Sequence, residues 1–306
     1  MEIKKASRKK TKLKLGISAP SGFGKTYSAL LLGKGLVGSY DKICVIDTEN
    51  ESASLYSDLG DYSILPLNAP YSPERYIQAI DAAINAGFKL IIIDSITHEW
   101  NGKGGCLEIV ESLGGKYQDW AKVTPRHTAF IEKIIQSNVH IITTVRNKQD
   151  YEMTKDSSGK LKVEKVGMKQ ETRDGFEYEL TVSLDIINDK HLVKAGKDRT
   201  GLFMNKPEFV ITEETGKQIL DWCEKGEGIY KLQGLKDKIA ASTKKGEALL
   251  AAVQTMKKGL DTNYPDCADY TECNDYLSKI ADRLIAEIEI EKVELDSKTQ
   301  DIGDSQ

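Results

Sequence analysis

Eight residues constrain this chain more than any others: Ala19-Pro20-Ser21-Gly22-Phe23-Gly24-Lys25-Thr26. Before them, in Thr11 to Ser18, Leu13, Leu15 and Ile17 alternate as in a strand. After them, Thr26 to Leu36 is compatible with a helix. Strand, glycine-rich turn and helix, in that order, form the phosphate-binding loop, here with Ala19 in place of the usual first glycine. Backbone N–H groups line a concavity that a phosphate chain fills, and the helix dipole adds to it. Gly22 and Gly24 permit backbone conformations that a side chain would block. Lys25 is expected to reach the outer phosphates, the Thr26 hydroxyl to ligate Mg²⁺, and Tyr27 to close the nucleotide-contacting set.

The rest of the chain supplies what such a loop needs. Asp41 to Asp47 reads as a buried strand. Lys89 to Asp94 is a continuous apolar strand, as expected when both faces are covered. Asn138 to Val145 is another strand. Helices are expected after Ser72-Pro73-Glu74, with Ile77, Ile80 and Ile84 on one face, and over Thr128 to Ser137. Strands alternating with helices predict an α/β fold with a mainly parallel, twisted sheet. Two hairpins are expected beyond it. One spans Tyr151 to Val166; the other joins Tyr178–Ile187 to Lys190–Lys194. Glu208 to Ile211 reads as a last strand and Glu213 to Glu224 as a helix.

Three regions follow from composition. Residues 1–11 form a basic arm, residues 12–224 the α/β domain, and residues 225–306 a helical region with an acidic, ragged tail from Ala286. In the last region Cys273, Tyr276, Leu277, Ile280 and Leu284 keep helical spacing. Residues 1–14 hold seven lysines and arginines against Glu2, whereas the whole chain carries −4, so a basic arm sits on an acidic body. No apolar run approaches the roughly 20 residues of a membrane helix, and the start lacks a secretory signal. Five cysteines without a C-x-x-C pair read as free thiols of a reducing cytoplasm, and Cys267 and Cys273 lie too far from any histidine to suggest a zinc site.

Candidate chemistry concentrates at strand ends. Asp94 closes a strand and is expected to hold Mg²⁺ with Thr26. Hydrolysis also needs a group that orients or deprotonates water. Glu49 and Glu99 both lie just past strand ends. Glu49 is preferred because Ser95 occupies the place beside Asp94, and Glu99 otherwise reads as a surface charge of a loop. Asn147-Lys148-Gln149-Asp150 spells a guanine-reading motif, but Asp94 is followed by Ser95-Ile96-Thr97 rather than D-x-x-G. ATP is therefore expected.

These pieces, in this order, resemble the RecA-like P-loop ATPases. Val45-Ile46-Asp47-Thr48-Glu49 resembles the strand that ends in the catalytic glutamate, and Asp94-Ser95 resembles the metal-binding strand end. His140 to Arg146 resembles the sensor strand, with Thr143-Thr144 where recombinases carry Asn-Gln. Gly196 to Gly201 looks like the Lys-x-Arg element of the RadA and DnaB branches. The resemblance thus implies that Lys197 and Arg199 reach a neighbouring subunit's nucleotide. Overall, residues 12–224 look most like the small phage Sak-four group of single-strand annealing ATPases.

The resemblance implies single-stranded DNA as partner, held by two loops, Trp100–Trp120 and Arg146–Lys169. Candidate contacts are Arg146, Lys148, Lys160 and Lys162, with Trp100, Tyr117 and Trp120 for stacking. It also implies a homo-oligomer, ring or filament, with shared active sites, and a role in recombination, annealing or repair beside a single-strand-binding protein. The competing expectations are a hexameric helicase or helicase loader, and a nucleotide-gated scaffold.

Overall fold

Alternate residues of one short strand, Leu90 and Ile92 against Ile91 and Ile93, enter two different hydrophobic cores. That follows from the two-residue period of a strand covered on both faces. The computed structural model describes residues 10–155, 161–225, 232–263 and 270–303. The chain divides into Thr11–Glu224 and a second unit that contains Lys225–Gln306.

In the first unit the elements run β1 (Lys14–Ala19), α1 (Lys25–Val37), β2 (Ile43–Asp47), β3 (Ser63–Pro66), α2 (Pro73–Asn85) and β4 (Leu90–Asp94). Then come α3 (Thr97–Asn101), α4 (Cys106–Ser112), α5 (Trp120–Gln136), β5 (His140–Lys155), β6 (Leu161–Gln170) and α6 (Phe176–Glu179). The last are β7 (Val182–Ile186), β8 (Leu192–Asp198), β9 (Phe209–Val210) and α7 (Glu213–Glu224). Among the described residues the strands form one nine-stranded sheet in the order β3-β2-β4-β5-β1-β7-β8-β9, with β6 paired to β5. The strands from β3 to β7 in that order pair in parallel, while β8, β9 and β6 are antiparallel additions. The sequence reading of a mainly parallel sheet with hairpin additions holds, and the arrangement is that of a RecA-like P-loop core.

Register fixes where the site lies. Ala19 pairs with Arg146, Asp47 with Asp94, and Ile93 with Thr143. The carboxyl ends of β1, β2 and β4 are therefore level with the middle of β5. In open α/β sheets this edge is where ligands bind. α1 and α7 cover one face and α2 and α5 the other. At the α1–α7 crossing a Cβ on Gly35 would lie 1.8 Å from the Glu213 carbonyl oxygen, so only glycine permits this approach.

Several expected boundaries change. The hairpin expected over 151–166 is longer: β5 runs unbroken from the buried sheet, and its turn lies outside the described residues. The strand expected over 178–187 begins with a short helix, α6; only Val182–Ile186 is strand, and Val182 to Asp185 pair with β1. The helix expected at Thr128 begins at Trp120, with Pro125 tolerated near its start, and Trp100–Trp120 contains helices rather than an open loop. β3 is a half-exposed edge strand without alternation and escaped the pattern.

The second unit comprises α8 (Leu232–Ala240), α9 (Gly246–Asn263) and α10 (Tyr270–Gly303), packed through Leu235, Val253, Leu260, Cys273, Leu277 and Leu284. α10 continues past Ala286 instead of fraying there, because Ala, Glu, Ile and Lys are adequate helix formers and Arg283 pairs with Glu287 one turn on. Among the described residues no helix is long and apolar enough to cross a membrane.

One buried histidine makes stability depend on pH. His140 Nδ1 accepts the Leu13 N–H at 3.0 Å, so that nitrogen must stay unprotonated. Burial, reinforced by Lys12 and Lys14, pushes its pKa well below 6.5. Above the unfolded-state value the folded and unfolded chains bind the same number of protons at this site. Below it only the unfolded chain gains one, so stability falls with pH. The urea midpoint should drop between pH 7 and pH 5. His140→Asn, which keeps an acceptor near the Nδ1 position, should show a smaller drop. An equal drop in both proteins would remove His140 from the explanation.

Candidate functional site

The loop after β1 turns through Gly22 (φ 82°) and Gly24 (φ 81°), the second capping α1. No side chain caps α1, so its first N–H groups remain available to an anion. Lys25, 7% exposed, donates from Nζ to the carbonyls of Ala19 (3.2 Å) and Pro20 (3.0 Å). Burial lowers its pKa, while Asp94 and Glu49 oppose that shift.

Asp94 is 1% exposed, and both of its oxygens are engaged. The Thr26 hydroxyl donates to Oδ2 at 2.5 Å, and the Thr144 hydroxyl donates to Oδ1. Burial raises the Asp94 pKa, and the two hydroxyls pull the other way. A carboxylate and a hydroxyl in contact are an oxygen donor pair of the kind Mg²⁺ prefers. The expected metal residues therefore fit the ion, and Thr144 supports them from the neighbouring strand.

Glu49 reaches the same place through the loop after β2. Asp47 Oδ1 accepts the Glu49 N–H (2.7 Å) and its Oδ2 accepts the Ala53 N–H (2.8 Å), while Asn50 and Glu51 take left-handed conformations. The turn presents Glu49 to Arg146, whose Nε and Nη2 each lie 2.9 Å from Glu49 Oε1. Glu49 lines a cleft of about 550 Å³ together with Lys25, Thr26, Tyr27, Tyr56 and His191. The Tyr27 and Tyr56 rings lie 5.7 Å apart there. His191 holds Nδ1 3.1 Å from the Phe23 carbonyl, so the turn before β8 leans on the phosphate loop. Phosphate-binding groups at one end and aromatic rings at the other suit a nucleotide.

Glu99 stands apart. It is 0% exposed and bonded to His127 and Cys106, so it is neither a surface charge nor open to water. The guanine-reading match also lies elsewhere. Asn147 donates to Ser18 Oγ at 3.0 Å and lines a different cleft.

Lys197 and Arg199 both donate to the Tyr178 carbonyl, Arg199 at 3.2 Å, and neither lines the nucleotide-sized cleft. Of the expected DNA contacts, Arg146 turns inward to Glu49, and Lys148 is exposed, 3.8 Å from Glu171. Lys160 lies outside the described residues. Lys162 pairs with Thr154 in the β5–β6 ladder, and its side chain lies outside the described set. Residues 1–9 of the basic arm are likewise outside it. Trp100 and Trp120 stack with centroids 5.5 Å apart, and Tyr117 is 94% exposed.

Thr144, Tyr56 and His191 were not singled out as site residues by sequence. Thr144 falls where recombinases carry a glutamine, but nothing in a threonine announces a bond to Asp94. Tyr56 and His191 belong to no motif, and only the fold brings them to the loop.

Residues 11–211 match the model of a protein family described as an AAA domain. No curated protein matches the chain. Among solved structures, a prototypical ATPase from the type III secretion system of pathogenic bacteria is similar at 14% identity. That match covers 88% of this chain and 80% of the other, with a TM-score of 0.35.

Proposed function

Because the chain belongs to the AAA domain family of P-loop ATPases, we propose that it hydrolyses ATP with Mg²⁺ and couples this to single-stranded DNA, as an annealing or recombination ATPase of the Sak-four kind. The observation that carries the hydrolytic reading is the convergence of Lys25, Thr26, Asp94 and Glu49 at the level strand ends. Thr26 and Asp94 would hold the ion, which would supply charge neutralisation at the phosphates. Lys25 leaves the carbonyls of Ala19 and Pro20 to meet the outer phosphates. Glu49 orients the attacking water and accepts its proton, and Arg146 fixes the carboxylate's direction. Tyr27 and Tyr56 flank the base.

The DNA reading is supported by the β5–β6 ladder and by the Trp100–Trp120 pair with exposed Tyr117 nearby in sequence. It is supported too by the basic composition of residues 1–14. In this reading the chain works in the cytoplasm as a ring or filament of identical subunits, beside a single-strand-binding protein.

The test is phosphate release with and without single-stranded DNA. Turnover should require Mg²⁺ and rise when DNA is added. DNA affinity should fall with salt at a log–log slope of roughly −0.7 per phosphate contact. Mg²⁺-dependent turnover without any DNA binding would leave the ATPase and remove the DNA partner. Unwinding of duplex by the isolated protein would favour a helicase.

A further inference from the structure

Three side chains outside the nucleotide site meet in the interior: Glu99 from α3, Cys106 from the start of α4 and His127 from α5. Glu99 Oε1 lies 3.1 Å from Cys106 Sγ and 3.0 Å from His127 Nδ1, and Oε2 lies 3.1 Å from the same nitrogen. Glu99 and Cys106 are 0% exposed and His127 is 5% exposed. Val110 and Val123 pack beside the cysteine, with Trp100 and Trp120 against that cluster, and the Trp100 ring meets His127 edge-on at 5.5 Å. Nothing in the nucleotide chemistry uses these groups. A buried carboxylate must nevertheless be compensated, by protons or by a cation.

We propose that Glu99, Cys106 and His127 form a zinc site. One carboxylate oxygen, one thiolate sulfur and one imidazole nitrogen are the donor types Zn²⁺ takes. Zn²⁺ with a carboxylate, a thiolate and a neutral imidazole sums to zero charge, which suits an apolar surround. Ordinary zinc–ligand lengths predict tetrahedral edges of about 3.4 Å between O and N and about 3.6 Å between O and S. The separations here are a few tenths of an ångström shorter, within reach of small side-chain rotations. Without a cation, burial and the Glu99 carboxylate keep the Cys106 thiol protonated. Binding expels that proton.

His127 also lines a pocket of about 280 Å³ with Thr128, Arg173 and Phe176, so one of the three ligands borders open space. Residues 99, 106 and 127 come from three helices, so an ion bound by all three would add a further tie to their packing and hydrogen bonds.

The test uses the full chain, stripped with chelator under a non-thiol reductant and titrated with Co²⁺ and then Zn²⁺. One equivalent of Co²⁺ should produce a thiolate-to-cobalt charge-transfer band that Zn²⁺ abolishes. In Cys106→Ser the band should vanish, and Zn²⁺ affinity should fall by more than the roughly 10–100-fold that loss of an outer-shell partner costs. Zn²⁺ should raise the melting temperature of the wild type but not of Cys106→Ser. Cobalt binding without a thiolate band would place the ion on oxygen ligands such as Thr26 and Asp94 and overturn the proposal. So would a band that survives in Cys106→Ser, or no binding by the wild type, which needs no variant to be informative. Hydrolysis is not read at any step, so the site stands or falls apart from the ATPase reading.

Discussion

Glu49→Gln should still bind ATP and should hydrolyse it roughly 10²–10⁴-fold more slowly, the usual contribution of a positioned general base. The amide keeps the size of the side chain and an oxygen for Arg146, so the turn built on Asp47 should survive. What it loses is the ability to take a proton from water. Binding is read with a fluorescent nucleotide and turnover by phosphate release. Near-wild-type turnover would remove Glu49 from the chemistry. Glu99→Gln supplies the contrast. Its carboxylate contacts Cys106 and His127 rather than the cleft, so this variant should melt at lower temperature while its folded fraction turns over normally.

Arg199→Ala should bind ATP through its own phosphate loop and lose on the order of 10³–10⁵ in turnover, the range for a cation supplied to the transferring phosphoryl group. The geometry makes the source of that cation testable. Within one chain Arg199 and Lys197 donate to the Tyr178 carbonyl and stay off the nucleotide-sized cleft, so they either serve a neighbour's nucleotide or are structural. Lys25→Ala lacks the loop cation but keeps Arg199. Mixing the two inactive proteins creates interfaces that pair an intact Lys25 with an intact Arg199, and activity should return. Specific activity of the wild type should also rise with concentration. No recovery, with concentration-independent turnover, would make Arg199 a structural residue.

The parts legible in the sequence were those whose chemistry is local. A glycine-rich turn between strand and helix announces itself within eight residues, and the apolar run Leu90 to Ile93 carries Asp94 at its end whatever surrounds it. Glu49 was separable from Glu99 only by analogy. The structure separates them by burial, which the sequence hides because Glu99 and His127 are 28 positions apart, beyond any spacing rule. The same holds for Arg146 and Glu49, 97 residues apart. Cys106 read as an ordinary free thiol because its partners come from other helices. Boundaries failed where tertiary pairing overrides pattern: β5 extends as far as β6 is there to pair with it, and edge strand β3 shows no alternation because Ile64 and Leu65 pack toward opposite faces of the sheet.

β5 has one further consequence. The same strand carries Thr144 on Asp94, Arg146 on Glu49, and then the outer ladder to Lys155. From Arg146 to Lys155 an extended chain reaches roughly 30 Å. A two-stranded arm of that length, with an irregularity in its register between Asp150 and Tyr151, is thus continuous with the strand segment that contacts Asp94 and Glu49. Any ligand bound at the far end that shifted this strand would act on both contacts, and by reciprocity a nucleotide that shifted them would act on the far end.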